Sequence, residues 1–328
     1  MRIAVIAALC GALALPAAAA PPVLQPLPAK AVAAFEAVVP DPLPKQLAAN
    51  SHFVVSDEKR HDLYRTSIDG VGGLLTGVGT DQLYLMAGWA RPEILVPMDF
   101  DQVVVDLHKI YKVAFLESPD PASFFDFWRK ENQATVEALL DRYYPDPQEN
   151  KGVKKALKIS RGLVIGKLGS TKKLAKKQGF PSFLDDADQY GYLVALFKAN
   201  RVFPVRGDLT GTSAMRGIAE AAKAAGVAVR VLSLSNAELY FDYVQSFRDN
   251  VKALPIDDRS LTLRTASLGQ EWAAEGDGRY HYQVQRTGDF QTWLDLPKVK
   301  TYRAITAARN RDKKNPGFST AGGPPAKR

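Results

Sequence analysis

A short apolar run through Leu74 and Leu75 leads into Gly77-Val78-Gly79, and twenty residues after Gly79 a second run, Glu93 to Met98, ends in Asp99-Phe100-Asp101. Few folds accommodate that order. A strand that stops at two closely spaced glycines can turn sharply and bring its backbone near a ligand. Thr80 or Asp81 is placed to cap the helix that follows, whose free N–H groups then face whatever lies in the bend. In α/β nucleotide folds an acid about 20 residues beyond such a turn sits beside a ribose hydroxyl. The stretch Gly70 to Glu117 therefore reads as strand, glycine turn, helix, strand ending in acids, and a second helix. It predicts a cofactor-type crevice.

The first twenty residues, MRIAVIAALCGALALPAAAA, hold one Arg, an apolar centre, Pro16 and an alanine run. That is the pattern of a secretory signal peptide, with an apolar run too short to span a membrane and no stop-transfer pattern after it. Cleavage is expected after Ala19, since a cut one residue later would leave Pro21 just past it. Cys10 is the only cysteine and leaves with the signal, so the mature chain can form neither a disulfide nor a thiolate metal site. It must stand on its core, and 46% hydrophobic residues over this length suffice for one large domain. No later apolar run can cross a bilayer, so a soluble periplasmic or secreted protein is expected. The net charge of +8 loses one unit with Arg2. Outside the cytoplasm nucleic acid is not an expected partner; anionic membrane or an envelope polymer is.

Residues 20–50 are rich in Pro and Ala and read as a spacer or loosely attached arm, with a short helix at Ala29–Val38. Residues 51–305 read as a single α/β domain. Within it, Ser51 to Ser67 is expected to pack as strand then helix. Gln102 to Leu116 carries a helical apolar stripe, which His108 borders as a structural residue. Ala122 to Tyr144 is an aromatic-rich helix. Lys151 to Lys177 holds ten Lys or Arg and no acid. Two readings of it stand: a contact face for anionic lipid or polymer, and a plain solvated helical face. Strands follow at Val202–Arg206, Val227–Leu234, Ser260–Ala266 and Tyr280–Arg286, the last antiparallel by its alternation. Between them lie a helix opening at Thr210-Gly211-Thr212-Ser213 and an aromatic helix through Tyr240, Phe241, Tyr243 and Phe247. Residues 306–328, polar and basic with Gly and Pro, read as a disordered tail.

Strands alternating with helices imply a mostly parallel sheet covered on both faces, with ligands at the carboxyl ends of the strands. Four such ends carry polar residues: Gly77 and Gly79 with Asp81 and Gln82; Asp99 and Asp101; Gly207-Asp208; and Ser235-Asn236. The crevice is expected where they converge. Each also has a plainer role. The glycines suit a tight turn, Ser235 to Glu238 spells a capping box, and Asp208 can neutralise a helix start. The four histidines form no zinc pair, so no metal is expected, and no G-x-S-x-G elbow is present.

Three separated blocks, GVGTDQLYLMAGWARPEILVPMDFDQVVVDLHKIYKVAF, VFPVRGDLTGTSAMRGIAEAAKAAGVAVRVLSLSNAELYF and FRDNVKALPIDDRSLTLRT, resemble an uncharacterised bacterial family. Its fold is similar to class I S-adenosylmethionine-dependent methyltransferases, a Rossmann-like architecture. The resemblance implies that Gly77 and Gly79 line the methionine end of the cofactor and that Asp99 or Asp101 accepts from the ribose. It places Asp208 near the adenine and Ser235-Asn236 where such enzymes hold a substrate amine, although the two prolines of that motif are missing. Gln82 in the third glycine position counts against NAD. Two functions follow as expectations: methyl transfer from S-adenosylmethionine, or non-catalytic binding of an anionic or nucleoside-like envelope ligand in the same crevice.

Overall fold

The computed structural model describes residues 24–325. The expected signal peptide, its cleavage site and Cys10 lie outside the described residues. Helix α1 (Ala29–Glu36) precedes the domain, and α2 (Arg65–Ile68) continues a 3-10 turn at His61–Tyr64. Strand β1 (Leu74–Val78), helix α3 (Asp81–Ala90), strand β2 (Ile94–Asp99) and helix α4 (Gln102–Glu117) realise the strand–turn–helix pattern around the glycines. Four helices follow: α5 (Pro121–Phe127), α6 (Gln133–Tyr143), α7 (Pro147–Gln178) and α8 (Ala187–Lys198). The second half comprises β3 (Val205–Arg206), α9 (Ala214–Ala224), β4 (Val229–Ser235), α10 (Gln245–Ala253), β5 (Leu261–Ala266), β6 (His281–Arg286), α11 (Thr287–Leu294), α12 (Tyr302–Ala307), β7 (Asn310–Arg311) and β8 (Phe318–Ala321).

The strands make one eight-stranded sheet, ordered β3-β2-β1-β4-β5-β6-β8-β7. β1 through β5 run parallel, and β6 turns antiparallel to β5, as its alternation predicts. The fold is α/β and Rossmann-like, with helices on both faces. Side chains alternate between two cores: Leu75, Leu95 and Val231 point to α3, α4, α7 and α8, while Leu74, Ile94 and Val229 point to α1, α9, α10 and α11. Chain order reverses between β1 and β4, and there the two strands approach so closely that a Cβ at Gly77 would collide with the Ser233 carbonyl. Gly77 thus serves sheet packing.

Several elements differ from expectation. The 20–50 arm, where described, is bound to the domain. Phe35 stacks on Phe203 with ring centroids 4.9 Å apart. Asp41 is 2% exposed, and its carboxylate accepts from the N–H groups of Asp208 (3.0 Å), Thr212 (3.1 Å) and Ser213 (2.9 Å) at the start of α9. The cap of that helix therefore comes from the arm. The expected tail supplies β7 and β8, and β8 pairs parallel with β6, so residues 310–311 and 318–321 belong to the sheet. The helix expected over 122–144 breaks at Trp128–Asn132, where Arg129 adopts extended φ/ψ. Residues 240–244 are loop, and 51–60 carry no strand. No described helix is long and apolar enough to cross a membrane.

Candidate functional site

The carboxyl ends of β1, β2, β4 and β5 surround the reversal point, and residues 52–58 lie across them as a strap. Gly79 turns the chain at φ +100°, a conformation only glycine adopts freely. Gln82 folds back into the bend: its Oε1 accepts from Thr80 N at 3.0 Å and its Nε2 donates to Val78 O at 3.1 Å. A ligand approaching Gly79 shares the bend with that amide. His108, read as structural, holds the turn from behind. Its Nε2 donates to Gly79 O (3.0 Å), so its Nδ1 accepts from the Tyr84 hydroxyl (2.7 Å), and burial holds its pKa down at about 4. The imidazole is neutral and acts as a spacer.

The acids divide sharply. Asp81 Oδ1 accepts from Ser56 N at 2.9 Å in the strap, with Lys167 Nζ 3.8 Å from its other oxygen. Asp101 caps α4 through Val103 N (2.9 Å) and pairs with His52 Nδ1 at 2.7 Å. Asp208 stands apart at the sheet edge, exposed, its carboxylate accepting from the Thr210 amide and hydroxyl. Asp99 ends β2 half-buried and accepts only backbone N–H groups, that of Asp101 at 2.9 Å. Burial pushes its pKa up to about 7, with the Asp101 charge adding to the rise and the N–H groups of Asp101, Gly79 and Phe100 opposing it. Among the described residues, Asp99 is the one candidate acid without a side-chain donor.

Across the reversal point the donors are already used by the strap. Ser235, at φ +52°, donates its hydroxyl to Glu58 Oε1 at 2.8 Å. Thr265 donates to the same oxygen, while His61 Nε2 (2.8 Å) and Ser56 Oγ (3.0 Å) donate to Oε2. Burial alone would raise the Glu58 pKa, but the His61, Thr265 and Ser235 donors hold it down at about 2. Asn236 Nδ2 donates to Asp57 Oδ1 (3.1 Å) and to the Tyr280 hydroxyl (2.9 Å). Lys167 Nζ, from the basic helix α7, pins the strap through Glu58 O at 2.7 Å. Ser, Glu and His meet here in an order unsuited to nucleophilic chemistry. The carboxylate lies between hydroxyl and imidazole, so the histidine cannot take the serine proton.

An S-adenosylmethionine-type ligand finds a fit on one side alone. The β1–β2 side offers the Gly79 turn and an acid with free accepting capacity. On the β4–β5 side Ser235 and Asn236 have no donor left for a second reactant. No group of three or more His, Cys, Asp or Glu among the described residues is placed to hold a metal ion. Glu58, His61, Thr265 and Lys167 were not expected at this site. Glu58 and His61 are only three positions apart, but the site they join is not marked locally, because Glu58 and Thr265 are 207 positions apart. No match is found among curated proteins. The profile of one family, described as a domain of unknown function (DUF7790), matches residues 53–322, from within the strap to just past the end of β8. That span is most of the chain, which belongs to the DUF7790 family.

Proposed function

We propose that this is an exported, non-catalytic binding protein whose crevice at the ends of β1 and β2 takes a nucleoside-like ligand through its ribose hydroxyls. The observation carrying the reading is Asp99, partly open to solvent beside the Gly79 turn with no side-chain partner. The strap argues against catalysis, since its carboxylates consume the donors where a second reactant would have to be held. Methyl transfer remains the second reading, favoured by the order β3-β2-β1-β4-β5 around a glycine turn. S-adenosylmethionine would then supply an electrophilic methyl group, with Asp99 orienting the nucleoside. Export rests on the residue pattern of Met1 to Ala19. N-terminal sequencing of protein from the extracytoplasmic fraction should begin at Ala20.

The test is thermal unfolding with and without adenosine and S-adenosylhomocysteine. A ligand at about 100 times its Kd adds about 2.7 kcal/mol, a rise of about 5 °C for a domain of this size. Hydroxyls donate to the ionised form of Asp99, so affinity should rise about tenfold from pH 6 to pH 8, as the carboxyl loses its proton near 7. Asp99→Asn should remove both the shift and its pH dependence. A shift that survives that change, or none with either ligand, refutes the proposed crevice. Transfer of methyl label from S-adenosylmethionine to any acceptor moves the assignment to the second reading.

A further inference from the structure

Helix α7 runs 32 residues from the Asp146 cap, which accepts from Gln148 N and Glu149 N, to Gly179 at φ +70°. Its buried residues, among them Val153, Leu157, Val164 and Leu168, fall on one side. At 100° per residue, Lys151, Lys155, Lys158, Lys173 and Lys176 fall along the opposite line, and all five are exposed. The last turns of α7 lie beside α5, and between them is a groove of about 730 Å³. Phe125, Ala175 and Phe180 line its floor, and Lys172, Lys173 and Lys176 stand on its rim. Two acids, Asp126 and Asp185, also line the groove, and each already has a partner. Asp126 pairs with Arg129 at 2.6 Å, and Asp185 accepts from the Ser182 amide (3.1 Å) and hydroxyl (2.7 Å). Among the described residues, the three rim lysines take part in no ion pair.

We propose that this groove is the docking site for an anionic membrane lipid, its acyl chain on the aromatic floor and its headgroup among the rim lysines. The volume is of the size that encloses a small ligand or a stretch of acyl chain. A cationic face alone serves any polyanion, but an apolar floor gains nothing from a soluble one. A lipid uses both, because burial of each methylene adds to the attraction of the headgroup. The groove stands apart from the crevice, so the proposal does not depend on what the crevice binds.

The test is co-sedimentation of the full chain with vesicles of phosphatidylcholine alone and of phosphatidylcholine mixed with phosphatidylglycerol. Binding to the mixture only, weakened by salt, is expected. A Lys172→Glu, Lys173→Glu, Lys176→Glu variant should bind the mixture about a hundredfold more weakly, at about 1 kcal/mol per lysine. Ala122→Trp, which fills the groove and keeps every lysine, should lower binding about fivefold. Thermal melting checks that each variant is folded, and Lys→Gln replaces Lys→Glu if the triple variant melts early. Equal binding to pure phosphatidylcholine overturns the proposal, as does full binding by Ala122→Trp. Dextran sulfate captured equally by wild type and Ala122→Trp, with vesicles ignored, would assign the face to a polymer and also overturn it.

Discussion

Glu58 is a carboxylate kept ionised where water scarcely reaches it, at 1% exposure. Four donors from three parts of the chain make that possible, and the arrangement has a pH signature. The folded pKa of about 2 lies below the ordinary 4.5, so the stabilisation is complete above 4.5 and is lost as the pH falls toward 2. Glu58→Gln is expected to cost about 2–3 kcal/mol at pH 7, with the difference from wild type shrinking toward zero near pH 2 in urea titrations. A pH-independent penalty would mean that shape, and not charge, is what the pocket requires. Two of these donors, Ser56 and His61, are sequence neighbours of Glu58, but Ser235 and Thr265 are remote, and nothing around Glu58 announces them. What the sequence does reveal is chemistry with a local period: the Gly79 turn and the acids ending β2. That the neighbours of Asp99 are already paired with the strap is a tertiary fact, visible only once residues 52–58 are placed.

At the scale of elements, α7 shows how composition can mask structure. Its lysines read as a patch, while the helix itself extends from Pro147 to Gln178. Its centre carries Gly162 and Gly166, and a Cβ at either meets nothing within 4 Å. Gly162→Ala and Gly166→Ala should each raise stability by about 0.5–1 kcal/mol, read as a higher denaturation midpoint with an unchanged slope. Loss of stability would mean that the bare backbone is packed against something. Strands β1, β2, β4, β5 and β6 were legible because turn glycines and β-branched alternation bound them. β3 shrank from the expected 202–206 to two residues, since Pro204 has no N–H for the ladder. The S-x-x-E sequence at Ser235 makes no cap because its hydroxyl is engaged by Glu58. The aromatic helix broke near Trp128 with no proline or glycine to signal it.

For the whole molecule, the end of the chain is the least legible part and among the most consequential. Residues 309–321 are too short and too polar to read as strands, yet β8 shields the edge of β6, and Ser319 Oγ meets His281 Nε2 at 2.8 Å and Gln283 Nε2 at 3.2 Å. Removing residues 309–328 should strip that edge and leave the chain aggregating or without cooperative unfolding, as followed by light scattering and circular dichroism. A truncated chain that melts like wild type would show β7 and β8 to be ornamental. The same geometry sets an order of events. The strap is shut by Thr265 and Tyr280, and Lys59 just after it by Asp277 and Tyr282, all more than 200 positions downstream. Asp41 waits until Ala214 for its last partner. Loops of that length close slowly. A ribosome must therefore finish nearly the whole domain before residues 57–60 have all their partners, and until then that part of the nascent chain remains threadable.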